Sequence, residues 1–315
     1  MSDLSMEAQG LTKVYGSFTA LSKLDLKIEG AKCVGFLGPN GAGKTTTLKI
    51  FTDLIRATSG HALINGANVH TQKKKALASV GTVIETPEMY PSSTPRQALR
   101  VIAEMRGVPH AERQKRIDEV VAEVGMNEWI DKRVGKFSKG MKQRICIASA
   151  LLSNPSIVLL DEPTTGLDPR GMSEVRDIVK SLKRKDRLIF MSSHILSEVE
   201  DVCDEVAMID HGKLLVYDTL GNVTTKFAGG SNIIEVSLLR PIDTAAVQNQ
   251  VARISGVVSA EKKDDKNLII KSTEGASTQE IILAELVRMN IGVISFRPAS
   301  SALEESYLNL IKDTL

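Results

Sequence analysis

Between residues 33 and 45 the chain reads Cys-Val-Gly-Phe-Leu, then Gly-Pro-Asn-Gly-Ala-Gly, then Lys-Thr, and no other stretch restricts the possible folds as much. An apolar run followed by a glycine-rich turn and the helix-forming TTLKIFTDLI predicts a strand, a loop and a helix. The loop fits GxxxxGK[ST] in the strand-to-helix setting that pattern requires. Its glycines let successive backbone N–H groups turn inward on phosphate oxygens, the helix N-terminus adds partial positive charge, and Lys44 adds a full one. Gly38, Pro39, Asn40, Gly41, Ala42, Gly43, Lys44, Thr45 and Thr46 are therefore the candidate phosphate cradle, with Thr45 placed to hold Mg²⁺. Such a match arises by chance in a chain of this size about once in a hundred.

Around this loop the hydrophobic pattern alternates. Strand-like MEAQGLTKVYG and ALSKLDLKIEG precede it, and residues from about Thr94 to Ser153 have helical spacing, with Pro95 at a helix start. Strands return at Ile157–Leu160, Leu188–Ser192 and Val206–Asp210, separated by helical stretches, which implies a mainly parallel sheet covered by helices. The small, polar KFAGGSN reads as a linker and places a domain boundary near Gly229–Gly230. Beyond it the predicted order is β-α-β-β-α-β, with helices at TAAVQNQVARI and TQEIILAELVRM and a final helix at SALEESYLNLI. That order suggests a ferredoxin-like α+β domain. At 315 residues the chain has room for two domains.

A second constellation complements the first. Ile157–Leu160 ends in Asp161 and Glu162, so a buried strand presents two carboxylates at its C-terminal end, where ligands bind in parallel α/β sheets. Asp161 suits a hydrated Mg²⁺, and Glu162 suits the orientation and polarisation of an attacking water.

Further motifs in a fixed order make the chain resemble the ATP-binding cassette family over residues 7 to about 225. Phe137-Ser138-Lys139-Gly140-Met141-Lys142-Gln143-Arg144 resembles the family signature LSGGQ, matching at Ser138 and Gly140 and departing at Phe137, Lys139 and Met141. Taken alone, FSKG before an amphipathic helix reads as an N-cap. The resemblance implies that this segment meets the γ-phosphate of ATP held by the opposite subunit. It also implies that Gly166-Leu167-Asp168-Pro169 is the D-loop at a dimer interface, that His194 is the switch histidine near the γ-phosphate, and that Tyr15 stacks on adenine. Core packing is the alternative for Tyr15. Where the family usually has a glutamine that touches Mg²⁺, Val80-Gly81-Thr82-Val83-Ile84-Glu85-Thr86-Pro87 supplies Glu85, a harder metal ligand with an extra negative charge.

The fold so implied is a P-loop NTPase: a RecA-like parallel core with an N-terminal antiparallel β subdomain and a helical insert at about residues 88–153. Residues 1–228 then form the nucleotide-binding domain and residues 231–315 a small ferredoxin-like accessory domain. The implied activity is ATP hydrolysis with ATP and Mg²⁺, with Glu162, His194 and Lys44 as the catalytic groups. The implied partners are a second nucleotide-binding subunit, identical or different, and a separate membrane-spanning permease. The ending SALEESYLNLI is similar to that of drug-, antibiotic- or lipid-exporter ATPases. The alternative is a soluble cassette ATPase acting on ribosomes or a regulatory partner, and the surface at Met89, Tyr90 and Pro91 discriminates, as a seat for a coupling helix or as a packed turn. The 40 basic and 38 acidic side chains leave a net charge of +2 and no field for nucleic acid. No stretch is apolar enough to span a membrane and the first residues do not resemble a signal peptide, so the expected place is the cytoplasmic face of the membrane, peripherally. Cys33, Cys146 and Cys203 lie far apart in sequence and are expected as small core hydrophobes.

Overall fold

The computed structural model describes residues 4–85, 89–183, 186–227, 231–241, 250–273 and 276–298, together with Leu303, Tyr307 and Leu310. The chain divides into two compact units, Met1–Leu220 and Gly221–Leu315.

In the first unit the opening alternation forms β1 (Ser5–Tyr15) and β2 (Phe18–Glu29), and Cys33–Leu37 forms β3, which leads through the glycine loop into α1 (Lys44–Phe51). Next come β4 (Ser59–Ile64), β5 (Ala67–Asn68), α2 (Lys73–Leu77) and β6 (Val80–Val83). The helical insert contains α3 (Pro95–Met105), α4 (His110–Glu123) and α5 (Lys139–Leu151). Strand β7 (Ile157–Leu160), α6 (Pro169–Lys183), β8 (Leu188–Ser193), α7 (Leu196–Val202), β9 (Glu205–Asp210) and β10 (Lys213–Thr219) complete the unit. Among the described residues, no helix is long and apolar enough to cross a membrane.

Two sheets result. The antiparallel one has the order β2-β1-β4-β5, and the larger one has the order β10-β9-β3-β8-β7-β6. In the larger sheet β3 pairs in parallel with both β8 and β9, β7 with β8 and β6 with β7, while only β10 runs antiparallel. Every residue of β3, β7 and β8 is buried, the signature of strands covered on both faces. Burial of each large apolar side chain here contributes about 1.5–3 kcal/mol. Phe190 packs at 5.1 Å on Phe36 and edge-on at 6.4 Å to Phe51, which ties α1 to the sheet beneath it. The predicted helix start is explicit: Thr94 caps α3 in a reciprocal box with Gln97, and Pro95 stands at the first turn.

The fold also brings together what the sequence separates. Asp204, just before β9, exchanges backbone and side-chain bonds with Cys33 at the start of β3, and the Cys33 and Cys203 sulfurs lie 3.7 Å apart. All three cysteines are buried and outside any disulfide, and burial pushes the Cys146 thiol up to about 11.

The second unit takes in all but the first residue of α8 (Leu220–Phe227), then β11 (Ser231–Leu238), β12 (Val257–Asp264), β13 (Asn267–Thr273), α9 (Ala276–Arg288) and β14 (Val293–Pro298). Its antiparallel sheet has the order β12-β13-β11-β14 around a core that includes Ile234, Val236, Leu268, Ile270, Ile282 and Leu286. Gly229 and Gly230, expected as the boundary, lie outside the described residues, as do most of the expected helices TAAVQNQVARI and SALEESYLNLI. The compact units divide after Leu220, since compactness is set by packing and not by local composition.

Candidate functional site

The strand order positions the chemistry. Because β3, β8 and β7 are adjacent and parallel, their C-terminal ends lie side by side at about 4.8 Å spacing. The loop after β3 leads into Lys44 at the start of α1, the residue after β8 is His194, and those after β7 are Asp161 and Glu162. Gly38 N–H donates to Ser193 O at 3.3 Å, fixing the first loop to the end of β8.

Glycine is required at two positions of the loop. A Cβ on Gly38 would lie 2.3 Å from Ile209 O, and Gly43 has φ +107° with Ala20 O only 2.7 Å from where its Cβ would be. Lys44 is 4% exposed, and its ammonium donates to Gly38 O at 2.8 Å and Pro39 O at 3.0 Å. The same Nζ is 3.2 Å from Glu162 Oε1. The cation is thus desolvated but paired, as a buried charge must be.

Glu162 sits at φ +42°, a left-handed conformation that costs a non-glycine residue about 1–3 kcal/mol. Its N–H donates to Ser192 Oγ at 2.9 Å, and the Ser192 hydroxyl donates to Asp161 Oδ1 at 2.6 Å, so one buried serine fixes both carboxylate residues. The Thr165 hydroxyl donates to Glu162 Oε2 at 2.9 Å, and His194 Nδ1 lies 3.2 Å from the same oxygen. Burial pushes the Glu162 carboxyl up, but the bond from Thr165 and the charges of Lys44 and His194 outweigh it and hold the group below its ordinary value of 4.5. Asp161 N–H donates to Val83 O at 2.8 Å, which fixes the carboxylate pair against the end of β6.

A cavity of about 240 Å³ is lined by Tyr15, Phe18, Asn40, Gly41, Gly43–Thr46 and Glu162. Tyr15 is 46% exposed and so is not a core residue; Lys13 Nζ stands 4.8 Å from its ring centroid. Phe18 pairs across the β1–β2 hairpin with Tyr15 and escaped the sequence reading, as did Ser192 and Thr165. Phe18 had a legible signal, an aromatic residue just across the tight turn at Gly16, whereas the other two had none. The Glu85 carboxylate pairs with the Lys49 ammonium on α1 and does not line this cavity.

Ser138, Gly140 and Asp168 are not brought to the phosphate loop. They surround a different cavity of about 330 Å³, together with Trp129, Arg144 and Gly171. Ser138 is the N-cap of α5, its Oγ accepting from Met141 N–H at 3.2 Å, and Asp168 accepts from Gly171 N–H at 3.2 Å at the start of α6. A Cβ on Gly140 would lie 3.4 Å from Gly171 Cα, so the two helix starts approach closely. Phe137, where the signature has leucine, is buried edge-on against Trp129 at 5.9 Å. Tyr90 is 83% exposed although its loop is pinned, Ser93 Oγ donating to Tyr90 O at 2.7 Å and Gly135 N–H to Pro91 O at 2.9 Å.

Chemically, the first cavity combines an aromatic face, a run of N–H donors, a buried ammonium and an ionised carboxylate. Residues 21–165 match the family model described as ABC transporter. The bacitracin transport ATP-binding protein BcrA of Bacillus licheniformis is 46% identical over 206 residues, 65% of this chain and 66% of that protein. The linearmycin resistance ATP-binding protein LnrL of Bacillus subtilis (strain 168) is 30% identical over 312 residues, 98% of this chain and 99% of that protein. Among solved structures, cbiO1 from Clostridium perfringens, part of the ABC transporter complex cbiONQ, superposes with a TM-score of 0.64 at 26% identity, covering 71% of this chain and 92% of that one.

Proposed function

This chain belongs to the ABC transporter family as an ATP-binding, ATP-hydrolysing subunit, and on that footing we propose that two copies close around two Mg-ATP and drive export through a separate membrane-spanning subunit. The carrying observation is the convergence of Lys44, Glu162 and His194 at adjacent strand ends. Tyr15 stacks on the adenine, the N–H groups of Asn40, Gly41 and Gly43–Thr46 and the Lys44 ammonium bind the phosphates, and Glu162 takes the proton of the attacking water while His194 orients it. Thr45, Asp161 and Glu85 make up a hydroxyl and carboxylate set that suits a hard cation; they would hold Mg²⁺, which would supply charge neutralisation at the phosphates.

Ser138, Gly140 and Asp168 lie around a cavity other than that of Lys44, which supports their acting on nucleotide held by the opposite copy. The pinned loop at Tyr90 and the exposed Val101 and Met105 offer an apolar seat for a short helix of the membrane subunit. The relatives named above support the transporter over a ribosome-directed ATPase, and their antibiotic-related names support an antibiotic-like cargo. Residues 1–228 carry the nucleotide chemistry and residues 231–315 an accessory role.

The test is ATP hydrolysis against protein concentration beside Glu162→Gln, with sizing in ATP and Mg²⁺. Activity per molecule rises with concentration, and Glu162→Gln stops hydrolysing yet runs as an ATP-dependent dimer. Concentration-independent activity without a dimer overturns the composite site.

A further inference from the structure

The carboxylate that replaces the family's usual amide has a partner of its own. Glu85, at φ +59°, is paired with the Lys49 ammonium, and Lys49 lies in the last turn of α1. Lys49 is four positions after Thr45, so the two side chains leave the same face of the helix about one turn, or about 6 Å, apart. From the other side, Val83 pairs with Leu160 and accepts from Asp161 N–H at 2.8 Å, and Glu85 follows Val83 by two residues. Glu85 therefore lies two residues beyond the strand end that bonds to Asp161 and pairs with the helix that carries Thr45.

We propose that Lys49 is a positioning residue that acts through Glu85: it holds the carboxylate as an exchangeable partner, and Mg²⁺ arriving with nucleotide competes with it for that carboxylate. The inference rests on the reading of Thr45 and Asp161 as the metal side of the site. Exposure makes the exchange feasible, since Glu85 is 66% and Lys49 28% exposed, and solvent-screened pairs of this kind are weak. An amide at position 85 forms no ion pair, so the device requires the glutamate. The pair thereby sets how strongly nucleotide binding depends on Mg²⁺.

The experiment measures the affinity of trinitrophenyl-ATP with excess Mg²⁺ and with chelator, and takes the ratio, for the unaltered chain, Lys49→Gln, Glu85→Gln and the double variant. Lys49→Gln raises the ratio about two- to five-fold, the range of an exposed pair. In the Glu85→Gln background the same substitution leaves the ratio unchanged, and Lys49→Arg, which keeps the charge, retains the unaltered ratio. An equal rise in both backgrounds, or none in either, overturns the exchange. Lys44→Ala separates this failure from failure of the site itself: if a folded Lys44→Ala chain still binds the probe, the site reading falls, and if it does not bind while the cycle shows no coupling, the exchange alone falls.

Discussion

Glu162 occupies a conformation that glycine would adopt without strain, and the interactions around it explain why a carboxylate is kept there. Ser192 fixes its backbone, Thr165 and His194 approach one oxygen, and Lys44 approaches the other. The sign of the resulting pH dependence follows. A carboxyl held below 4.5 stays charged as pH falls to that value, and both its stabilising effect and its proposed use as a base are lost only as pH drops further, through the folded value. Thr165→Val removes one of the interactions that lower it, so the acid limb of the hydrolysis profile moves to higher pH. An acid limb that does not move in kcat against pH would show that Glu162 is not the group that titrates. Neither Ser192 nor Thr165 was legible in the sequence, because a hydroxyl at a strand end or in a turn is ordinary until a carboxylate faces it.

Helix starts provide the most direct link between sequence and energy at the level of elements. Thr94 and Ser138 each satisfy an N–H that helix geometry leaves without a partner. Thr94→Ala and Ser138→Ala should each cost about 1 kcal/mol in denaturant unfolding. Only Ser138→Ala should also lower the rate of hydrolysis, because α5 begins beside the start of α6 in the second cavity, whereas α3 does not line it. Equal loss of activity in both variants would reduce the signature segment to a cap. The N-cap reading of FSKG and its resemblance to the family signature are thus compatible, since one hydroxyl caps the helix at the rim of the cavity.

For the molecule as a whole, the separation of the two cavities implies a specific complementation. Mixing a Lys44→Ala chain with a Gly140→Asp chain pairs the intact loop of one with the intact signature segment of the other, so the mixture hydrolyses ATP although each chain alone is nearly inactive. A mixture no more active than its parts would count against paired copies. The glycine loop, the Asp161-Glu162 strand end, the capped helices and the alternation of strands with helices were determined by the sequence itself, because each depends on backbone preferences and side-chain periods spanning a few residues. Tertiary structure alone decided that β3 lies between β8 and β9, that Lys44 meets Glu162, that Cys33 lies beside Cys203, that Glu85 turns to Lys49, and that Ser138 stands apart from the loop. These are contacts between residues distant in sequence, and they follow from the order in which buried strands pair, which no local period encodes.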